Sequence, residues 1–373
     1  MRTFPTACIG LLILGFSSPA AGEPGVIFKP VEAGNPSQPS KPSEELALPS
    51  ATDVLDIDLI IWRDRQYALV GGDRNVRLYA TQQVERRLAE EPVARTSNRG
   101  STLHIGFLPS LTQDDRLWFF VSSQREDVKQ AAAPHGDVGL VTTFYTWDGR
   151  RIRRAKQILS VIYRRLGPTL ISQRILAKKV VWGPVQTELP TVDKQGRLTL
   201  NRLGPLRLPA GAALYDFARG DLNGDGTTEI ILAEGEGSVL AVYEQDGRSR
   251  QGGVEISMAP CLAEIKTFYW MAPYIRIMAP VVSDMDHDGQ NDVVVVREEI
   301  VKEKGLLGMS SKRRFHTLAV FWRLNGSLSK RFESDRLSGN VIVFRHSSDN
   351  RLFTAIKEED GSVRIHWVTL GED

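Results

Sequence analysis

The chain has 373 residues, 42% hydrophobic and 25% charged, an ordinary globular composition that excludes a fibre and a wholly disordered chain. Its formal net charge of +2 is too small to act as a global attractor of nucleic acid, so no nucleic-acid partner is expected. The length admits one large domain or two smaller ones.

The first predicted element is an export signal. Arg2 supplies a positive charge, residues 7–16 an apolar stretch, and residues 18–22 small side chains for cleavage. This reads as a signal peptide over 1–22, with the mature chain starting near Glu23 in the bacterial periplasm or outside the cell. The apolar stretch is about half of the roughly 20 residues that cross a bilayer, so no transmembrane segment is expected in the mature chain. Cys8 stands at the start of the apolar run, the wrong place for lipid modification. With Cys8 removed, Cys261 has no partner for an intramolecular disulfide.

Residues 23–50 hold Pro24, Pro30, Pro36, Pro39, Pro42 and Pro49 among Ser, Gly and Lys, a composition that predicts a flexible linker. From 51 to 373 the pattern changes to short β-branched and aromatic runs between Gly, Asp and Asn turns. The best helical candidate is 81–91, where Val84 and Leu88 stand four apart; a charged loop is the alternative. Strand pairs recur at 67–71 with 76–80, 117–122 with 140–147, 229–233 with 239–244, 292–296 with 318–324, and 352–356 with 363–368. A weaker unit lies between 169 and 200. Several units close on Asp-Gly or Asn-Gly, dipeptides that favour tight hairpins.

A hairpin pair cannot bury both of its faces alone, and radial stacking of four-stranded sheets around an axis solves that problem. The expected fold is therefore all-β, a β-propeller of six or seven blades, with a β-sandwich as the alternative.

Two segments stand out. Asp221, Asn223, Asp225 and Glu229 occupy positions 1, 3, 5 and 9 of one loop, and Asp284, Asp286, Asp288 and Asp292 the same positions of a second. Gly226 and Gly289 fill position 6, where a sharp bend is needed, and the carbonyls of Thr227 and Gln290 at position 7 add a further oxygen. Such a set suits Ca²⁺, which takes six to eight oxygens at flexible geometry, better than Mg²⁺. Position 12 is Leu232 or Val295 and an apolar strand follows directly, so neither loop is an EF-hand. Asp64, Asp114 and Asp349 occupy matching turns without the spaced oxygens and read as turn formers.

Over roughly 205–300 these segments resemble the calcium loops of FG-GAP or VCBS repeats, the propeller repeats also found in integrin α-chains. The literal Phe-Gly and Gly-Ala-Pro signatures are missing. The resemblance implies a propeller whose blade loops hold Ca²⁺, and it carries metal roles onto Asp221, Asn223, Asp225 and Glu229 and onto Asp284, Asp286, Asp288 and Asp292. The ions are expected to be structural, neutralising clustered carboxylates where each strand begins.

The densest basic run is Arg150, Arg151, Arg153, Arg154 and Lys156, followed by Arg164 and Arg165; it reads as a solvated face or as a patch for an anionic partner. The six histidines are scattered, and neither a Gly-x-Ser-x-Gly elbow nor a phosphate-binding glycine loop is present, so no catalytic residue is assigned. Phe268, Tyr269 and Trp270 read as blade packing or as a ligand platform. The expected function is a calcium-stabilised module or scaffold that binds a protein or a glycan. The alternative is a propeller enzyme, a polysaccharide lyase or hydrolase or a quinone-dependent dehydrogenase. Arginine, histidine and carboxylate groups converging on a central pocket would favour the enzyme; a flat or filled axis would favour binding.

Overall fold

The computed structural model describes residues 25–30, 45–48, 53–82, 87–88, 92–111, 116–125, 139–176, 181–260, 278–304, 310–324, 326–347 and 350–370. The signal peptide, Cys8, Cys261 and the aromatic run 268–270 lie outside them. Among the described residues the fold is all-β, with helical structure limited to two single 3-10 turns, Pro109–Leu111 and Gly235–Gly237.

Hydrogen bonding groups the strands into four continuous sheets, of nine, eight, five and four strands. This differs from the six or seven separate blades expected, and shared strands are the reason. In the eight-stranded sheet, the 14-residue strand Ala94–Phe107 pairs over its first half with Asp73–Gln82 and over its second half with Leu117–Arg125. It is thus the last strand of one four-stranded meander (Asp56–Trp62, Arg65–Gly71, Asp73–Gln82) and the first of the next (Leu117–Arg125, Leu140–Trp147, Ile152–Leu159).

The five-stranded sheet holds the meander Val161–Leu166, Thr169–Leu176, Gln186–Val192, Leu198–Pro205, and the four-stranded sheet runs Phe217–Gly220, Glu229–Glu234, Val239–Tyr243, Arg250–Glu255. The nine-stranded sheet joins the meander Val281–Ser283, Asp292–Lys304, Ser310–Leu324, Ser327–Ser334 to a last one, Asn340–His346, Leu352–Lys357, Val363–Leu370. Counted as meanders, hereafter blades 1 to 6, the repeat occurs six times among the described residues.

The last blade takes its fourth strand from the other end of the chain. Glu45–Leu48 pairs antiparallel with Val363–Leu370, and Gly25–Pro30 pairs parallel with that same strand and antiparallel with Ser327–Ser334. The linker expected over 23–50 is therefore corrected at these two segments, which are strands. An unpaired sheet edge accepts any backbone that can donate to it, whatever the composition around it. Pro30 ends the first strand, where a missing N–H removes no interior ladder bond, and Pro49 follows the second in sequence. The helix proposed over 81–91 is likewise replaced, where described, by the end of strand Asp73–Gln82 and by the short strand Arg87–Leu88.

The core is distributed as six apolar clusters, one at each junction between neighbouring blades. Leu69 and Phe119 join blades 1 and 2, Ile231 and Val295 join blades 4 and 5, and Leu59 with Phe353 joins blade 1 to blade 6. That last cluster closes the ring. Inner strands covered on both faces need no polar alternation, which is why Val293, Val294, Val295 and Val296 run consecutively and are all fully buried. The basic run 150–154 lies at the outer edge of blade 2, mostly exposed, with Arg153 near Asp148 at 3.6 Å.

Candidate functional site

The two acidic loops occupy equivalent places in adjacent blades. Each connects a blade's first strand to its second, closed by the pairs Gly220 with Glu229 and Ser283 with Asp292. The Asn291 side-chain amide donates to the Asp221 carbonyl at 2.8 Å and ties one loop to the other. Backbone N–H groups fold each loop around its first aspartate: Asp221 accepts from Gly224 at 2.7 Å and Gly226 at 2.8 Å, and Asp284 accepts from Gly289 at 3.0 Å. The bend needs left-handed residues, supplied by Gly224 and Gly226 in the first loop (φ 72° and 82°) and by His287 and Gly289 in the second (φ 60° and 85°). His287 is exposed, as position 4 requires.

The loops differ in how their carboxylates are used. In the first, Asn223 donates to Asp225 at 2.8 Å, and the Thr227 N–H, at 2.7 Å, holds the Asp225 carboxyl below its usual range. The buried Glu229 accepts from the Leu222 N–H at 2.9 Å and forms an ion pair with Arg323. In the second, oxygens of Asp284, Asp286 and Asp288 lie within 4.8 Å of one another, the one such acidic group of three among the described residues. Asp284 Oδ1 is out of solvent and has no hydrogen-bond partner. An orphaned carboxylate oxygen inside a triad of like charge fits a hard cation, because no donor of the protein is placed to satisfy it. Burial, together with the charges of Asp286 and Asp288, pushes the Asp292 carboxyl up to about 6.

Arg331 stands beside this triad, 2.5 Å from Asp286 and 3.8 Å from Asp288, its guanidinium stacked over Trp322 and Phe332. Neither Arg323 nor Arg331 is announced by the loop sequences, since both come from strands late in blade 5.

A second feature lies on the axis. A cavity of 760 Å³ is lined from the first strand of every blade, by Asp58, His104, Arg164, Arg219, Val281 and Arg345 among others. Its aspartates bridge blades 1 and 2: Asp56 accepts from the Ile57 and Ile105 N–H groups, and Asp58 from those of Leu59 and Phe107, at 2.8–3.0 Å. Asp56 also meets His104 Nδ1 at 2.9 Å and pairs with Arg345. Burial alone would raise the Asp56 carboxyl, but Arg345, His104 and the Ile105 N–H outweigh it and the net shift is downward.

Arg164 donates to the carbonyls of Leu214 at 3.1 Å and Phe217 at 2.7 Å, and Arg165 to that of His346 at 3.3 Å. Arg219, half-buried, has its Nε out of solvent without an acceptor, and burial presses its ionisation below the usual arginine value. Of these axial residues only Arg164 and Arg165 stood out in the sequence, as the end of the basic run; Asp56, Asp58, His104, Arg219 and Arg345 are isolated there, and only ring closure gathers them.

Residues 221–295 match the FG-GAP-like repeat family, a span that begins at the first acidic loop and ends just past the second. No curated protein matches the chain. Among solved structures, a chain of the mitotic checkpoint complex is 12% identical with a TM-score of 0.42, covering 97% of this chain and 99% of that one. The major Malassezia sympodialis allergen Mala s 1 is 9% identical (TM-score 0.40, 87% and 95% covered), and Trypanosoma rangeli sialidase in complex with sialic acid is 10% identical (TM-score 0.43, 92% and 57% covered).

Proposed function

We propose that this β-propeller with an FG-GAP-like repeat is an exported, calcium-stabilised binding module for a protein or a glycan. The observation that carries the calcium part is the orphaned Asp284 Oδ1 within the Asp284, Asp286, Asp288 triad. The side chains of Asp284, Asp286, Asp288 and Asp292 with the Gln290 carbonyl would hold the ion, and Asp221, Asn223, Asp225, Glu229 and the Thr227 carbonyl a second. Bound there, Ca²⁺ would supply positive charge to carboxylates that otherwise repel one another at the entry to strand Asp292–Lys304. Export rests on the residue pattern of 1–22.

The enzyme reading is favoured by one observation: the axis is an open cavity bearing arginine, histidine and aspartate, the condition set above for catalysis. Its aspartates, however, are engaged by backbone N–H groups, Arg345 and His104, which leaves neither placed as a free acid or base beside a nucleophile. Binding therefore ranks first.

The test is thermal melting of the mature protein in 1 mM Ca²⁺ and in EGTA. For an assumed Kd of about 0.1 mM, each site adds about 1.4 kcal/mol, or about 2 °C in Tm for a chain of this size. Identical melting in the two buffers would remove the calcium reading.

A further inference from the structure

Four arginines line the axial cavity (Arg164, Arg165, Arg219, Arg345) against two aspartates, an excess of two positive charges with the histidines neutral. Among the described residues neither aspartate forms an ion pair with Arg165 or Arg219. Asp56 is taken by Arg345 and His104, and Asp58 by two backbone N–H groups. Arg164 is fixed by the carbonyl oxygens of Leu214 and Phe217. Arg219 has neither a hydrogen bond nor an ion pair among the described residues, and its Nε is withdrawn from water.

A guanidinium N–H withdrawn from water without an acceptor is costly, and the group that relieves it best is an oxyanion able to take two parallel N–H bonds. The cavity volume is that of a small-molecule pocket, well below what a folded partner would fill. Met278, Pro280 and Ile342 add apolar wall suited to an organic body.

We infer that the axial cavity is a binding site for a small organic oxyanion, a carboxylate or a phosphate ester, anchored by Arg219 with Arg165. The inference rests on the binding-module reading and names its ligand class.

The experiment is calorimetric titration of the mature protein, held in saturating Ca²⁺, with glucuronate, glucose 6-phosphate and uncharged glucose. These probes separate a carboxylate from a phosphate ester at nearly constant size. The wild type is expected to bind at least one charged sugar and not glucose. Arg219→Gln is expected to weaken that binding tenfold or more, Arg219→Lys to weaken it less, and the outer-edge variant Arg153→Gln to match the wild type.

Binding of neither charged sugar by the wild type, equal binding of glucose, or an affinity unchanged in Arg219→Gln would each overturn the site. The Ca²⁺-dependent shift in Tm is measured on the same samples. Its persistence without a response to either anion would sink the oxyanion site alone, whereas its loss in the wild type would sink the calcium reading.

Discussion

Asp284 has one oxygen held by the Gly289 N–H and the other unpaired beside Asp286 and Asp288, so its charge is useful only when a cation is present. Asp284→Asn is expected to reverse sign with conditions: in EGTA its Tm equals or exceeds that of the wild type, because a repelling charge is gone, while in Ca²⁺ it loses about 1.4 kcal/mol at the second loop. Melting curves in both buffers check this. A second residue sets a pH limit. His316 is buried, and its Nδ1 accepts the Val341 N–H at 3.2 Å, so protonation would break that bond; burial holds its pKa below the ordinary histidine value. The unfolded chain therefore binds the proton more readily, and the stability contributed by neutral His316 is full above about pH 6.5 and declines as pH falls from there through the folded value. Urea midpoints at pH 7.5 and 5.0 should fall further for the wild type than for His316→Gln, and equal declines would contradict this role.

At the scale of elements, the two loop-bearing blades pack tightly at Gly220. A Cβ there would lie 2.2 Å from Val282 Cγ1 and 3.0 Å from its Cβ, so the first strand of blade 4 packs against that of blade 5 only because the side chain is absent. Gly220→Ala is expected to cost about 1–3 kcal/mol, as overpacked cores do. Adding Val282→Ala should recover part of the loss, and a double-mutant cycle by chemical denaturation measures the coupling. The middle strands of the blades were legible in the sequence, as at 67–71 and 292–296, because they are dense in β-branched and aromatic residues. First strands such as Asp56–Trp62 were not, since Asp56 and Asp58 read as surface charge until the neighbouring blade supplies the Ile105 and Phe107 N–H groups.

For the molecule as a whole, Glu45–Leu48 completes the last blade and buries Leu46 and Leu48 against the blade 1 junction. A chain beginning at Pro49 should lose about 3–5 kcal/mol from the exposure of those two side chains and should associate through the opened edge of Val363–Leu370. A chain beginning at Lys41 keeps the closing strand and should retain it. Denaturation midpoints and light scattering distinguish the two truncations, and equal stability would show that ring closure does not depend on this strand.

The sequence by itself determined the repeat, the all-β class and the two oxygen-bearing loops, because hairpin turns and metal-type spacing are local properties carried within about a dozen consecutive residues. The pairing of the N-terminal strands, the fusion of blades into four sheets, and the gathering of Arg164, Arg219 and Arg345 on one axis were decided only by the tertiary structure. Those features join residues as far apart in the chain as Gly25 and Trp367, and ring closure, to which no short segment testifies, is what brings them together.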